Sequence, residues 1–154
     1  MTIVKWALAL AIGGFLLMFG FTKFSGGAHI FPLIELKASG AGLPFAELAF
    51  PLGNYATGAL EVIAGALVIL PATRQIGAKL AVLPFLGAVV FHLSPFLGIT
   101  TPTGFADPKP VDVLAAGGPF ARTDFAATET TALFMIAVVG LVAAIVNVVV
   151  QRSN

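Results

Sequence analysis

The chain has 154 residues, of which 58% are hydrophobic and only 10% charged, and its formal net charge is +1. Soluble domains carry roughly 25% charged residues, so a water-soluble fold of this size would lack polar side chains for its surface, and lipid is the alternative solvent. The sequence has no run of Lys or Arg, which excludes nucleic acid as a partner. The absence of cysteine excludes disulfides, thiol redox relays, cysteine-bound iron–sulfur clusters and c-type haem.

Four apolar stretches are long enough to cross a bilayer, for which an α-helix needs about 20 residues. They predict an all-α fold: one integral membrane domain over 1–154, built as a four-helix bundle with two long external loops. The predicted spans cover residues 3–22, 53–71, 76–96 and 130–150, and the loops cover 23–52 and 97–129. The first stretch is long for the apolar region of a signal peptide and no A-x-A-like site follows it, so it is interpreted as a span.

The first span ends in the segment GFTKFSGG, residues 20–27, which places Lys23 among glycines at the external end of an apolar helix. At helical spacing, Gly20, Leu16 and Gly13 share the face of Lys23. Two interpretations are open. The ammonium could anchor the helix at the lipid surface, or it could face inward toward an acid elsewhere in the chain. In the second case the glycines let the chain turn over the mouth of the bundle.

The second span carries an acidic residue inside the predicted membrane. Glu61 lies ~12 Å from the external end of this span at 1.5 Å per residue. Ionisable groups in lipid are costly and face a bundle interior, a cavity or a partner. Asn54, Gly58 and Gly65 fall on the same helical face as Glu61, which predicts a small and polar stripe directed into the bundle. A structural lock between two helices is the competing role for Glu61.

The third span has Lys79 near its start, Pro84 inside it and His92 near its end, and the fourth span has no charge. His92 lies ~6 Å below the external end by the same rise. Pro84 predicts a kink because it lacks the N–H of a helical hydrogen bond. Small residues four apart predict close approach of helices at Gly77/Ala81 and Gly140/Ala144.

The two loops are predicted to differ in character. The loop 23–52 is too apolar for water, and we expect residues 43–50 to lie on the membrane surface or against the helices. The loop 97–129 is rich in Pro, Gly, Asp and Thr, which indicates an irregular cap that ends in a helix start at 128–131.

The density of basic residues predicts the orientation, because four spans put both termini on one side. The short tails and the tight turn carry Lys5, Arg74, Lys79 and Arg152. The long loops spread the same number of basic residues over many more positions: Lys23, Lys37, Lys109 and Arg122. All acidic residues outside the spans are in these loops: Glu35, Glu47, Asp107, Asp112, Asp124 and Glu129. The pattern predicts a protein of the cell inner (plasma) membrane with cytoplasmic termini.

This topology brings five residues into the external half of one small bundle: Lys23, Asn54, Tyr55, Glu61 and His92. They form a candidate pocket, in which Lys23 is the counter-charge of Glu61. A quinone or a bound lipid is the ligand that the pocket could hold, although no cofactor is certain. A hydrogen-bonded structural role is the competing interpretation for His92.

Haem and metal chemistry find little support in the sequence. A haem could use His29 and His92, and a metal could use these two with Glu35. Two histidines far apart in the chain are weak evidence for either, so no metal site is predicted.

Two segments, FLLMFGFTKFSGG at 15–27 and GALEVIAGALVILPATRQIGA at 58–78, resemble the DoxX-like family of small four-helix membrane proteins. The first resembles the family's first helix, which ends in Gly-x-x-Lys-x-x-Gly, matched here by Gly20, Lys23 and Gly26. The second resembles its glutamate-bearing helix, followed by a short basic turn directly into the next helix. The length and the four-span plan extend the resemblance over nearly the whole chain.

The resemblance implies a redox-associated membrane subunit. Some members resemble the membrane subunit of thiosulfate:quinone oxidoreductase, and others are linked to membrane oxidoreductase assemblies. This chain departs from its redox relatives by having no cysteine, which excludes a thiol mechanism. We therefore expect an accessory or anchor subunit of a larger respiratory or redox complex, not catalytic alone, whose partners are membrane lipids and other membrane subunits. The alternatives are a quinone-reactive oxidoreductase subunit and a small ligand-binding or transport protein with a pocket at Glu61.

Overall fold

The fold is mostly helical. A computed structural model describes residues 2–26, 28–107 and 119–152. The helices are α1 (Thr2–Phe24), α2 (Ile30–Gly40), α3 (Asn54–Ile69), α4 (Arg74–Leu93) and α5 (Ala132–Arg152). Four helical segments are long and apolar enough to cross a membrane: Ile3–Phe24, Ala46–Ile69, Arg74–Leu93 and Ala132–Arg152. The expectation of a helical chain with four such helices is confirmed. Lys109 and Asp112, which contributed to the predicted charge distribution, lie outside the described residues.

The four long helices form a ring. Helix α1 packs most extensively on α3, α3 packs on α4, and α4 packs on α5, whereas α1 and α5 close the ring with much less contact. Gln151 Nε2 donates to the Lys5 carbonyl at 3.1 Å, so the start of α1 and the end of α5 share one end of the bundle, called here the terminal end. The opposite end, where α1 finishes and α3 begins, is called the cap end.

The core between these helices is built largely from small and aliphatic side chains. Its buried members come from all four helices: Ala9, Ile12, Leu16, Ala64, Val68, Ala81, Phe85 and Ala144. Alanines at such positions let helix axes approach closely. The helices are then held by dense contact between their backbones, and not by the burial of large side chains. The predicted small-residue positions take part in this packing: Ala81 and Ala144 have no exposed surface, and a Cβ added to Gly77 would lie 2.3 Å from the Val68 nitrogen.

The turn between α3 and α4 is held by a buried arginine. Arg74 donates to the Val68 carbonyl at 3.2 Å and to the Ile69 carbonyl at 3.1 Å. Its guanidinium lies 3.8 Å from the centroid of the Trp6 ring. The last carbonyls of a helix lack partners within that helix, so Arg74 caps α3 while its charge rests on the aromatic face of α1.

The apolar loop 23–52 contains a helix that the sequence did not predict. Helix α2 buries Leu33 and Ile34 against Leu97 and Phe125, and the four residues form a second core at the cap end. A 3₁₀ turn (Ala46–Leu48) and a π turn (Ala49–Gly53) then lead into α3.

The predicted surface segment 43–50 is divided between two environments. Leu43, Phe45 and Leu48 are exposed, whereas Ala46 and Phe50 are buried. The segment therefore presents one apolar face outward and packs the other against the protein.

The loop 97–129 has a short two-stranded ladder in its described part. Strand β1 (Thr101–Pro102) pairs antiparallel with β2 (Glu129–Thr130). Because residues 129–130 are engaged in this ladder, the last helix begins at Ala132 and not within the expected range 128–131. The Thr130 hydroxyl accepts a hydrogen bond from the Ala132 N–H at 3.1 Å, which satisfies one of the free donors of the first turn.

Candidate functional site

A seam of glycines brings α1 and α3 together. A Cβ added to Gly20 would lie 3.0 Å from the Gly58 carbonyl oxygen, and one added to Gly65 would lie 2.8 Å from the Gly13 carbonyl oxygen. Side chains of the other helix are also close, but these two carbonyl oxygens are backbone atoms, which cannot swing aside as a side chain can. Only glycine at these positions lets the two backbones touch. The seam fixes the register that places the end of α1 beside the middle of α3.

The predicted ion pair forms at the cap end of this seam. Lys23 Nζ donates to Glu61 Oε2 at 2.6 Å, and the two side chains are only 11% and 10% exposed. Lys23 therefore faces inward, which decides between the two interpretations of the lysine in GFTKFSGG. Gly26, just after α1, adopts φ +81°, a left-handed conformation that favours glycine and lets the chain turn back over the bundle.

Asn54 holds the backbone next to this pair. Its Nδ2 donates to the Lys23 carbonyl at 2.8 Å, one of the carbonyls left free at the end of α1. Its Oδ1 is buried and has no hydrogen-bond partner among the described residues. The first residue of α3 thus fastens the last turn of α1, and Asn54 acts on the position of Lys23 through its backbone.

A cavity of about 430 Å³ opens beside the ion pair. It lies between α1, α3, α4 and α5 and is covered at the cap end by residues of α2 and by Leu97. Four ionisable side chains line it: Lys23, His29, Glu61 and His92. The rest of its wall is almost entirely apolar, with Phe15, Phe19, Phe31, Phe85 and Phe91 as its aromatic members. The cavity is therefore an apolar chamber with polar groups gathered toward one end.

The two histidines both use one ring nitrogen to bind a backbone carbonyl. His92 Nδ1 lies 2.7 Å from the Gly98 oxygen, and His29 Nε2 lies 2.9 Å from the Pro102 oxygen. A carbonyl only accepts, so these nitrogens carry the protons, which assigns the tautomers. In the neutral form of each ring, the other nitrogen, Nε2 in His92 and Nδ1 in His29, can accept a hydrogen bond.

His29 lies outside the long helices, and burial lowers the pKa of its imidazole. The hydrogen bond to the Pro102 carbonyl acts in the opposite direction but is the smaller effect. The neutral form is therefore favoured at the cap end of the cavity.

Tyr55, the fifth predicted pocket residue, does not line the cavity. Its ring stacks on Phe24, with centroids 5.7 Å apart and planes 7° apart, and approaches Phe50 at 6.5 Å. Asn54 does not line the cavity either. Lys23, Glu61 and His92 do line it, and they are joined there by His29, which was considered from sequence only as a haem or metal ligand.

Among residues 2–26, 28–107 and 119–152, no three His, Cys, Asp or Glu side chains are grouped so as to hold a metal ion. Each of the two histidines that line the cavity already has one ring nitrogen hydrogen-bonded to a backbone carbonyl.

No family model, curated protein or solved structure matches this chain. The resemblance to the DoxX-like family accordingly remains an expectation that rests on the quoted segments.

Proposed function

We propose that this protein is a multi-pass protein of the inner (plasma) membrane that binds a quinone in the cavity beside Lys23 and Glu61. The membrane part is supported by the outward surface of the bundle. In an apolar 18-residue stretch of each candidate span, only 17% to 33% of the residues are buried inside the protein, although mean hydropathy reaches 2.9. Helices that are apolar on their outer faces are stable in lipid and not in water.

The proposed orientation has cytoplasmic termini. Lys5, Arg74, Lys79 and Arg152 all lie in the parts of α1, α4 and α5 that are near the terminal end. Arg74 packs on Trp6 and binds the end of α3, and we assign all four basic residues to the cytoplasmic side of the membrane. The cavity then opens in the external half of the membrane.

The observation that carries the ligand proposal is an apolar chamber with an ion pair and two imidazoles at one end. Ligand sites are mostly apolar, with few polar groups that fix orientation. A lipid-soluble molecule with hydrogen-bonding oxygens on one end is complementary to such a chamber. The ammonium of Lys23 can donate to a carbonyl oxygen, while the free nitrogens of His29 and His92 can accept from a hydroxyl.

The balance of charge favours a neutral head group. Lys23 is already compensated by Glu61 at 2.6 Å, and burial favours neutral His29. An anionic head group would place an additional charge, without a free counter-charge, in a largely desolvated site, which is costly. A quinone or quinol has no net charge and has oxygens at both ends of its ring, so we assign the cavity to this class and not to an anionic phospholipid.

The experiment is a binding measurement on the full chain in lipid nanodiscs. Decylubiquinone and a menaquinone analogue are titrated. In a parallel experiment, native mass spectrometry measures how much phosphatidylglycerol the protein retains. We expect saturable quinone binding that weakens on the order of tenfold in Glu61→Gln and in His92→Phe. Glu129→Gln, which changes an exposed carboxylate that does not line the cavity, is the matched control and should bind as the wild type does.

Two results would overturn the proposal. The first is the absence of saturable binding of either quinone. The second is stoichiometric retention of phosphatidylglycerol that Glu61→Gln abolishes, which would assign the cavity to a lipid head group. Circular dichroism and size-exclusion chromatography establish that each variant is folded before its affinity is compared.

Membership of a larger respiratory or redox complex, as an accessory or anchor subunit, is a separate proposal that rests on composition and on the family resemblance. Gentle solubilisation of native membranes, followed by mass spectrometry of everything that co-purifies, tests it. Stoichiometric recovery of redox subunits would support it, and recovery of the chain alone with a bound quinone would favour a protein that holds its ligand by itself.

A further inference from the structure

The weakest contact in the ring of helices coincides with an apolar groove. Between α1 and α5, which touch far less than the other neighbouring pairs, lies a groove of about 350 Å³. It is more open to the outside than the cavity, and its walls carry almost no polar surface. The residues that line the groove without lining the cavity are Ala11, Ile12, Met135, Val139, Gly140 and Ala143.

The groove is continuous with the cavity. Phe15, Phe85 and Ile136 line both spaces. The rings of Phe15 and Phe85 lie 5.7 Å apart, centroid to centroid, and are tilted by 33°. They stand between the groove and the chamber that holds Lys23 and Glu61. A partition made of two side chains can be crossed by rotamer changes, whereas a partition made of helix backbone cannot.

The combined path has the length of one membrane leaflet. Lys23 lies twelve positions after Ala11 on the same helix, which corresponds to ~18 Å at 1.5 Å per residue. Half of a hydrocarbon core of about 30 Å is about 15 Å. A ligand with its head at Lys23 and its tail along the groove would therefore extend from the external end of the bundle to just past the middle of the bilayer.

We propose that this groove holds the hydrocarbon tail of the bound quinone, and that the Phe15–Phe85 pair is the lateral passage between bilayer and cavity. The inference rests on the proposed quinone-binding function and adds a feature of the ligand: a long, apolar tail that the protein recognises. Continuity with the cavity, the apolar walls and the matching length favour this occupant over a helix of another protein.

Gly140 makes room for the Phe85 ring at the proposed passage. A Cβ added there would lie 2.1 Å from Cε1 of Phe85, so any other residue would push the Phe85 ring from its place. Phe85 is buried, with 6% of its surface exposed. The glycine thus lets a large ring lie against the α5 backbone at the point where the groove meets the cavity.

The test compares two quinones that share a head group, one without a tail and one with a four-unit isoprenoid tail. In the wild type, the tailed quinone should bind more tightly. In Ala11→Phe, which fills the groove and does not alter the cavity lining, the tailed quinone should lose on the order of tenfold in affinity, and the tail-less quinone should be unaffected. Ala59→Phe, the same change at an outward-facing alanine of α3, is the matched control and should alter neither affinity.

Each contrary outcome separates the two proposals. If the wild type binds both quinones but Ala11→Phe weakens both equally or neither, the tail path is wrong while the cavity assignment stands. If the wild type binds neither, the proposed function fails and the tail path fails with it. If Ala11→Phe changes the mass of an oligomer in native mass spectrometry without changing quinone affinity, the groove is a protein interface. Ala143→Phe, which fills the groove from α5, replaces Ala11→Phe if the latter does not fold.

Discussion

Lys23 Nζ lies 2.6 Å from Glu61 Oε2, although the two residues are 38 positions apart in the chain. The pair joins the last turn of α1 to the middle of α3, and both side chains are about nine-tenths buried. Removing one partner of such a pair leaves a charge without compensation in a desolvated place, which costs more than the pair itself contributes. The pair consequently couples the stability of the bundle to the chemistry of the cavity.

The first prediction concerns this coupling. Lys23→Ala and Glu61→Ala should each lower the free energy of unfolding by about 3–5 kcal/mol, and the double variant should lose clearly less than the sum. Unfolding is measured in mixed micelles as a double-mutant cycle. Arg122 and Glu129, whose atoms are 3.4 Å apart and whose side chains are about half exposed, form the control pair, with a coupling of about 0.2–1 kcal/mol. Additive effects at Lys23 and Glu61 would refute the coupling.

The second prediction concerns the glycine seam. Gly65→Ala places a Cβ 2.8 Å from the Gly13 carbonyl oxygen, so α1 and α3 must separate, and we expect a loss of about 1–3 kcal/mol in the free energy of unfolding. Gly14→Ala is the matched control, because nothing lies within 4 Å of the added carbon. It should be neutral or stabilising by up to about 1 kcal/mol, since alanine favours helix more than glycine does. Equal effects of the two substitutions would show that the seam has no packing role.

Part of the site was predictable because it depends on local periodicity. The face of α3 that carries Glu61 is defined by spacing alone, and Asn54, Gly58, Glu61 and Gly65 are all buried on it. The order of the helices then places Lys23, in the last turn of α1, beside Glu61. Tyr55 follows Asn54 directly, so it is rotated by about 100° from that face, and its ring points to Phe24 and not to the cavity.

The rest of the site depends on tertiary folding that no short-range pattern encodes. His29 reaches the cavity because the chain turns back after Gly26 and α2 covers the bundle. Helix α2 has only 11 residues, with Pro32 near its start, so its apolar pattern is too short to distinguish a buried helix from a surface segment. Its place is set by contacts with Leu97 and Phe125, which are 60 or more positions away. The only available signal was that His29 lies six positions after Lys23, beyond a glycine pair.

The third prediction concerns Arg74 and the terminal end. Arg74→Lys keeps the charge but loses the planar group that reaches two carbonyls and lies on Trp6. We expect a loss of about 1–3 kcal/mol in the free energy of unfolding. Trp6 is the sole tryptophan of the chain, so its emission spectrum reports this site directly and should shift in Arg74→Lys. Lys79→Arg, at an exposed position of the same helix, is the control and should leave both the emission and the stability unchanged. An unchanged spectrum in Arg74→Lys would show that the guanidinium does not lie on the indole.

The fourth prediction concerns pH and the cap end of the cavity. Burial lowers the pKa of His29 below its ordinary value of 6.5, so the unfolded chain binds more protons than the folded one below that pH. The contribution of neutral His29 to the free energy of unfolding is therefore complete above about pH 6.5. It is lost as the pH falls toward the lowered pKa of His29 in the folded state. Glu35 has the opposite sign: burial, and then the charge of Glu47, raise its pKa, so its contribution is lost as the pH rises above about 4.5.

These opposite signs give a paired test. His29→Gln keeps a donor for the Pro102 carbonyl and removes the titration, so its thermal midpoint should fall less between pH 7 and pH 5 than that of the wild type. Glu35→Gln removes the compensating effect, and its midpoint should fall more than that of the wild type over the same range. Differential scanning calorimetry of the three proteins in the same detergent measures both changes. A His29→Gln variant that is as sensitive to acid as the wild type would show that this imidazole is not held neutral by the fold.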